Sequence, residues 1–292
     1  MQKKSYFCSV FRRIMEKISK AQVKLVRSLQ QKKFRDESGL FVAEGEKCVD
    51  ELRKAFELVY YIQTAEKPLP DLPLKGQEET ILFATPTEIE QMSSLRTPQG
   101  VIGVFRKREA SNKDEVLNQA KLKPSNNLTL VLDGVQDPGN LGTIIRTCDW
   151  FGVHDIICSP DTADCYNPKV VQATMGALAR VHMHYTNVEE WLRNITDPSV
   201  PIYGTLLDGR NMYEVLQSEG RSYSKAVLQQ SGHAVIIMGN EGNGISQEVR
   251  QLITHPIRIP SYPKNAETSE SLNVSIATAI VLAEFRRMDR TN

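Results

Sequence analysis

Five polar side chains that can bind an anion or a reacting hydroxyl group lie in three separated segments of the C-terminal half. They are Asn140, Arg146, Glu241, Ser271 and Asn273. The first segment reads LDGVQDPGNLG with the arginine shortly after it, the second IMGNEGNGI and the third SLNVSIA. The third begins a predicted helix, where hydroxyl, amide and unpaired backbone N–H groups can receive an anion. Any one segment alone would be an ordinary turn or helix start, so the inference rests on all three in this order.

Each of these residues also has a simpler structural explanation. Asn140 is a good N-cap type beside the turn of Pro138 and Gly139, so it can serve merely to start a helix. Arg146 can be a surface helix residue, Glu241 a carboxylate at a helix entry and Ser271 a cap. Asn273, inside the first turn of the predicted helix, is less easily explained by capping, which favours a functional role.

The glycines of the second segment indicate a ligand loop. Gly239, Gly242 and Gly244 lie between a predicted strand and a helix, where missing side chains let the backbone close around a ligand. Open α/β sheets bind ligands at such strand ends. Taken alone, the glycines can equally serve only to turn the chain. No GxGxxG follows either strand 128–132 or strand 234–239, so an ordinary dinucleotide site is not indicated.

The elements that must position these segments alternate regularly from residue 128 onward. Strands are predicted at 128–132, 155–158, 201–207, 234–239 and 256–259, and helices at 141–151, 168–180, 246–253 and 271–288. Near-continuous apolar strands alternating with helices predict a parallel sheet covered on both faces. From this pattern alone the domain would be doubly wound and unknotted, because true knots are almost absent.

The N-terminal part predicts a second, smaller α/β unit. Its strands are expected at 39–45, 58–63, 81–84 and 100–105, and its helices at 47–56 and 85–94, with an exposed loop over 66–79. The polar stretch 109–127 is typical of a linker. The expected domains are therefore 15–107 and 128–292, joined by a linker at 108–127. Residues 1–14 are expected to be a disordered extension, with Met15 as an alternative start.

The charge is distributed unevenly along the chain. Residues 1–35 hold eleven Lys and Arg residues against the single acid Glu16, although the net charge of the whole chain is only +1. The spacing of Lys17, Lys20, Lys24 and Arg27 predicts one basic stripe on a helix. Apolar residues at positions 18, 21, 25 and 29 form a neighbouring stripe that can dock on a core. A basic stripe on an anchored helix suits an RNA backbone, and a merely solvated face is the alternative.

Composition excludes several other classes of protein. The chain has no apolar run long enough for a membrane helix. The five cysteines are odd in number and lack CxxC spacing, which favours reduced cytoplasmic thiols over disulfides or a metal site. Cys158 and Cys165 with His154 are weak candidates for metal ligands, and no metal is expected.

The three segments together closely resemble the SpoU (TrmH-like) family of RNA ribose 2'-O-methyltransferases. The resemblance implies a deep trefoil knot in the parallel-sheet domain, S-adenosylmethionine as methyl donor and a homodimer through the C-terminal domain. The order "SGLFVAEGEK … TPQGVIGVF" resembles, more loosely, the L30e-like substrate-binding domain of many SpoU enzymes. The catalytic positions implied are Asn140, Arg146, Glu241, Ser271 and Asn273, and the cofactor-binding positions are Gly239, Gly242, Ile259 and Leu272. The segment 261–270 is longer than the common family loop.

The implied reaction is attack of a ribose 2'-hydroxyl, a weak nucleophile, on a sulfonium methyl. An ordinary guanidinium stays protonated, so we expect Arg146 to stabilise the developing alkoxide or to position a phosphate that accepts the proton. Glu241 is expected to orient Asn140 or Arg146 through a hydrogen bond. The expected substrate is rRNA, with tRNA as the main rival. Two alternatives are a non-catalytic RNA-binding or ribosome-assembly factor and an unrelated nucleotide-binding protein, whose phosphate loop is not found.

Overall fold

The computed structural model describes residues 14–68, 80–108, 128–220, 233–263, 269 and 271–289. The chain divides into two compact units, residues 1–108 and 109–292. The expected extension 1–14 lies outside the described residues except for Ile14, which begins a strand rather than ending a disordered tail. Most of the expected linker and part of the longer loop, residues 264–268 and 270, also lie outside them.

The N-terminal unit is a five-stranded sheet in the order β1-β4-β3-β5-β2. Its strands are β1 Ile14–Lys17, β2 Leu40–Glu44, β3 Leu58–Thr64, β4 Thr80–Ala84 and β5 Val101–Arg106. Its helices are α1 Lys20–Ser28, α2 Lys32–Ser38, α3 Glu46–Leu52 and α4 Pro86–Met92. Strand β4 runs parallel to β1 and β3, whereas β5 is antiparallel to β2 and β3. The predicted α/β unit is therefore present, with β1 and α2 in addition.

The prediction of a single basic stripe was wrong for Lys17. This residue ends β1, paired with Phe83 of β4, and α1 begins only at Lys20. The break comes from Ser19, whose extended backbone and side chain cap the helix in a reciprocal capping box with Gln22. The apolar stripe also differs, because Val26 is buried and Ala21 is exposed.

The C-terminal unit is a six-stranded sheet in the order β11-β9-β10-β6-β7-β8, and every pairing in it is parallel. Its strands are β6 Leu128–Asp133, β7 Asp155–Cys158, β8 His182–Tyr185, β9 Ile202–Asn211, β10 Ala234–Gly239 and β11 His255–Arg258. Its helices are α5 Pro138–Trp150, α6 Pro168–Thr174, α7 Val188–Arg193, α8 Met212–Gly220, α9 Gln247–Arg250 and α10 Val274–Asp289. The predicted parallel α/β architecture is confirmed, and β8, α7 and α8 are additional elements.

Several predicted helices were longer than the observed ones. The helix expected over 168–180 ends at Thr174, because Met175 and Gly176 both adopt left-handed backbone conformations, with φ of 52° and 89°. The C-terminal helix begins at Val274 rather than at Ser271. One buried cluster beneath the sheet includes Val131 and Ile237, which hold the two central strands in place.

Candidate active site

The first and second polar segments meet because they follow neighbouring strands. β6 and β10 are paired in register, and the pair Asp133 and Gly239 ends both strands together. The backbone N–H of Ser246 donates to the Asp133 carboxylate at 2.7 Å, which ties the end of the second loop to the end of β6. Parallel pairing therefore brings two loops that are about 100 residues apart in sequence to one edge of the sheet.

Helix α5 is capped by a residue other than Asn140, so the Asn140 side chain can bind other partners. The N-cap is Asp137, whose carboxylate accepts the Asn140 backbone N–H at 2.8 Å, and Pro138 occupies the first turn. The simpler explanation of Asn140 as the cap is therefore wrong. The sequence signal for Asp137 was present in the Asp-Pro pair, since proline favours the first helical position directly after a cap.

The Asn140 side chain joins the three polar segments in one hydrogen-bonded row. Its Nδ2 donates to Glu241 Oε1 at 2.7 Å, and its Oδ1 accepts from Asn273 Nδ2 at 2.9 Å. We call Glu241, Asn140 and Asn273 the polar relay. The carboxylate can only accept here, so it fixes the orientation of the Asn140 amide, which in turn requires a donor from Asn273. The hydrogen bond expected between Glu241 and Asn140 is present.

Asn273 also caps a helix, the explanation that the sequence argument disfavoured. Its Oδ1 accepts from the Ser275 backbone N–H at 3.0 Å and from the Ser275 hydroxyl at 2.6 Å, at the start of α10. Asn273 therefore caps this helix from outside rather than lying within its first turn. Because the oxygen caps the helix, the Nδ2 group is directed to the relay. Glu241 and Asn273 are exposed and Asn140 is half-buried, so the relay faces solvent.

Arg146 and Ser271 are not part of the relay. Arg146 lies in the middle of α5 and is exposed. Its side chain makes no hydrogen bond or ion pair with any other described residue. Ser271 is exposed two residues before the α10 cap and is likewise without a hydrogen bond among the residues that the structure describes. Both side chains are thus available to a ligand, whereas the relay residues already hold each other.

The three glycines of the second loop differ in whether the backbone could accept a side chain at that position. A Cβ at Gly239 would lie 2.3 Å from the Gly244 carbonyl carbon, so a side chain there would collide with the loop itself. Gly244 has a φ of +69°, a conformation that favours glycine. At Gly242 a Cβ would meet only Asn240 Oδ1, at an ordinary 3.5 Å. The chain itself therefore requires Gly239 and Gly244, whereas Gly242 leaves space that another molecule can occupy.

Comparison with known proteins identifies this arrangement. Residues 127–283 match the model of the SpoU rRNA Methylase family. The chain belongs to the SpoU family. Residues 20–103 match a second model, the MRM3-like substrate binding domain.

Relatives of this SpoU chain extend over nearly its whole length. It is 28% identical over 273 residues to the 23S rRNA (guanosine(2553)-2'-O)-methyltransferase RlmP of Bacillus subtilis, covering 93% of this chain and 98% of that protein. A TrmH-family RNA methyltransferase structure from Porphyromonas gingivalis, described as putative, is 34% identical, with a TM-score of 0.75 over 92% of this chain and 98% of the other. An AdoMet-bound rRNA methyltransferase structure from Sinorhizobium meliloti is 30% identical, with a TM-score of 0.72 over 93% and 97%.

The remaining residues implied by SpoU resemblance lie around the same sheet edge. Gly239 ends β10, and Ile259 directly follows β11, which is separated from β10 by β9. Ile259 is half-buried, whereas Leu272 is 49% exposed and directly precedes the α10 cap. Within the described part of the chain, no hydrogen bond joins these residues to the side chains of the relay. They are placed at strand and helix ends, where backbone groups are available to a ligand.

The expected RNA-binding side chains lie on the N-terminal unit of this SpoU protein. Lys20, Lys24 and Arg27 are exposed on α1 at helical spacing, and Lys17 is exposed at the end of β1. Arg35, which contributed to the basic run, is buried and donates to the carbonyl oxygens of Leu29 and Gln30 at 2.9 Å. That arginine holds the turn between α1 and α2 and is not available to RNA.

Other reactive groups of the SpoU chain lie away from the relay. Burial raises the pKa of both the Cys148 and the Cys158 thiol well above the ordinary value, so both are protonated at neutral pH. Within the described ranges, no group of three His, Cys, Asp or Glu residues is arranged to hold a metal ion. In those same ranges, no helix is both long and apolar enough to cross a membrane.

Proposed function

We propose that this chain transfers the methyl group of S-adenosylmethionine to the 2'-oxygen of a ribose in RNA, with rRNA as the substrate. The observation that carries the proposal is the polar relay, because it joins the three segments that a SpoU enzyme would use at one exposed edge of the sheet. RlmP of Bacillus subtilis, by its name, methylates a ribose of 23S rRNA, which supports rRNA over tRNA. A purely RNA-binding protein would have no need of the relay.

The relay residues can receive and orient the reacting hydroxyl. Glu241 uses one carboxylate oxygen for Asn140, and its second oxygen has no hydrogen bond among the described residues. The Nδ2 groups of Asn140 and Asn273 each carry a second hydrogen that a ligand oxygen can accept. The relay thus offers one hydrogen-bond acceptor and two donors at one exposed place. This set suits a ribose hydroxyl, which must give up a proton and be held in line with the methyl group that it attacks. Asn140 is then the central residue, since it contacts both others.

Arg146 contributes positive charge where negative charge develops. Its guanidinium stays protonated and offers two parallel N–H donors, which fit a phosphate or an oxyanion. Its guanidinium has no partner among the residues that the structure describes, which leaves this capacity to the substrate. We therefore assign Arg146 to stabilising the alkoxide, or to holding the phosphate that takes the proton.

The residues present fit S-adenosylmethionine, which supplies an electrophilic methyl group on a sulfonium sulfur. Gly242 leaves open space beside the loop backbone, and Leu272 exposes half of an apolar side chain at the same edge of the fold. Backbone groups of the loop after Gly239 and of the segment around Ile259 would hold the adenosine and methionine portions. Ser271 would add a hydroxyl at the anion-receptive end of α10.

The N-terminal unit would bind the RNA. We propose residues 15–107 as the recognition domain, 108–127 as a linker and 128–292 as the catalytic domain, in line with the two family matches. Replacing Lys20, Lys24 and Arg27 together by glutamine should weaken RNA binding and leave S-adenosylmethionine binding unchanged. Three lost phosphate contacts should lower the slope of log affinity against log salt by about two for single-stranded RNA. An unchanged slope would remove this surface from the proposal.

We further propose a homodimer through the C-terminal unit. Trp150 at the end of α5 is 84% exposed, and Ile276 in the first turn of α10 is 52% exposed. The two helices are linked, because the Arg286 side chain donates to the carbonyl oxygens of Phe151 and Gly152 at 2.7 and 3.1 Å. A second copy would cover this apolar surface under two-fold symmetry. Light scattering should report about twice 32.9 kDa, and an active monomer would contradict the dimer alone.

The function is tested by supplying the purified protein with S-adenosylmethionine carrying a tritiated methyl group. Unmodified rRNA should take up label, unmodified tRNA should take up much less, and the Asn140→Ala variant should transfer none to either. Preferential labelling of tRNA would move the substrate assignment to the alternative. Absence of transfer to both, together with binding of RNA, would favour the non-catalytic binding function.

A further inference from the structure

The side chain of Asn240 holds the second loop against the first. Its Oδ1 accepts from the backbone N–H groups of Gly242 at 2.8 Å and Asn243 at 3.0 Å. Its Nδ2 donates to the carbonyl oxygen of Gly134 at 2.7 Å, on the loop that leads from β6 to α5. One half-buried amide therefore connects the loop that carries Glu241 with the loop that leads to Asn140. We call these three contacts the loop clamp.

The loop clamp determines where the polar relay can form. Glu241 is exposed and directly follows Asn240, and among the described residues its side chain is hydrogen-bonded only to Asn140. Without the clamp, two ties among the described residues would remain: the backbone hydrogen bonds that Asn240 and Gly244 exchange at 2.9 Å at the base of the loop, and the one from Ser246 to Asp133 at its end. The base would keep the loop closed, but the position of the carboxylate would no longer be fixed.

We propose that Asn240 is a positioning residue for methyl transfer, acting through Glu241 and Asn140 rather than on the substrate; this inference rests on the proposed function. Both acceptor sites of the Asn240 oxygen and one of its amide hydrogens are already used within the protein. The side chain thus has little capacity left for a ligand. Preorganised polar groups speed a reaction because they need not reorient as charge develops, so loosening the loop should slow the chemical step.

Two replacements separate the parts of the clamp. Asn240→Ala removes all three contacts, whereas Asn240→Asp keeps the acceptor for Gly242 and Asn243 and places a second acceptor against the Gly134 carbonyl. The matched control is Asn194→Ala, which removes an exposed amide side chain at the end of α7, outside both loops. We expect both Asn240 variants to lower kcat at least tenfold and the control to stay within twofold of wild type.

The split between binding and turnover distinguishes positioning from general loop damage. Because the Asn240–Gly244 backbone pair remains, the affinity for S-adenosylmethionine by calorimetry and the KM for rRNA should stay within about threefold of wild type. A loss of cofactor affinity as large as the loss of kcat would mean that Asn240 only maintains the cofactor loop, and would overturn the proposal.

A double-mutant cycle with Glu241→Ala provides the decisive test. Single-turnover rates with enzyme in excess keep slow variants measurable, and wild type is measured first. Wild type that leaves rRNA unmethylated would refute the proposed function itself. If wild type is active, Asn240→Ala should change the rate less than twofold in the Glu241→Ala background, because its effect passes through Glu241. A full tenfold effect in that background would refute the positioning role and leave the function standing.

Discussion

Asn273 performs two tasks with two different atoms, so they can be separated by mutation. Its oxygen caps α10 through Ser275, and its Nδ2 group donates to Asn140 in the polar relay. Asn273→Ala removes both and should lower the free energy of unfolding by about 1–2 kcal/mol, as expected for a lost cap. Asn273→Asp keeps an acceptor at the helix start, where a negative charge is favourable, so its free energy of unfolding should fall less than that of Asn273→Ala.

The activity of the Asn273→Asp variant should nevertheless fall. In this variant a carboxylate oxygen would face Asn140 Oδ1, and both atoms can only accept a hydrogen bond. If the Asn140 amide turned over to donate to the new carboxylate, its Oδ1 would face the Glu241 carboxylate instead, which also only accepts. One relay hydrogen bond is lost in either arrangement, worth about 1.5 kcal/mol next to a charged group, or roughly a tenfold loss of kcat. Urea denaturation and the transfer rate to rRNA measure the two effects separately.

A matched control comes from Asn187, which caps α7 by accepting the Glu190 backbone N–H at 3.0 Å and lies after the edge strand β8. Asn187→Ala should cost a similar amount of stability and leave the transfer rate unchanged at a temperature where the protein stays folded. If Asn273→Asp were as active as wild type, the donated hydrogen bond would be irrelevant to catalysis. The relay argument would then be refuted.

Three further predictions concern other residues. Arg146→Lys should transfer methyl groups at least tenfold more slowly, because the bidentate geometry is lost, and an unchanged rate would rule out the role given to this guanidinium. Gly239→Ala should lower the free energy of unfolding in urea, because the added Cβ would clash with Gly244. Gly242→Ala should unfold like wild type in urea but bind S-adenosylmethionine more weakly by calorimetry. The reverse pattern would contradict our assignment of the two glycines. Burial lowers the pKa of His233 from 6.5 to about 4. As the pH drops from 6.5 toward 4, this histidine therefore binds a proton in the unfolded chain but not in the folded one, and the free energy of unfolding falls. Between pH 7 and 5, wild type should therefore lose about 2 kcal/mol more unfolding free energy than His233→Asn, and equal losses would refute this.

Much of the fold and the composition of the site could be predicted from sequence because their signals are local. Apolar strands alternating with helices predicted the parallel sheet, and the polar segments predicted which residues would be near its edge. The local patterns failed where one residue type fits both a helix cap and a site residue. Asn140 and Asn273 are both good cap types, but α5 is capped by Asp137, which the Asp-Pro pair already indicated, and Asn273 caps α10.

Contacts between distant segments were beyond the sequence argument. The hydrogen bond from Asn240 to Gly134 joins residues 106 positions apart, and no spacing rule connects them. Lys17 was assigned to a helix because its spacing to Lys20 is helical, but pairing with β4 overrides that periodicity. The trefoil knot followed only from family resemblance and stays a prediction, as do the individual catalytic roles.

The central claim is tested most directly by locating the transferred methyl group. The full-length protein would be incubated with unmodified rRNA and S-adenosylmethionine bearing a deuterated methyl, and the RNA digested to nucleosides for mass spectrometry. The account predicts the deuterated methyl on the ribose of one nucleoside type, and no label when Asn140→Ala replaces wild type. A deuterated methyl on a base, or equal labelling by the Asn140→Ala variant, would contradict it.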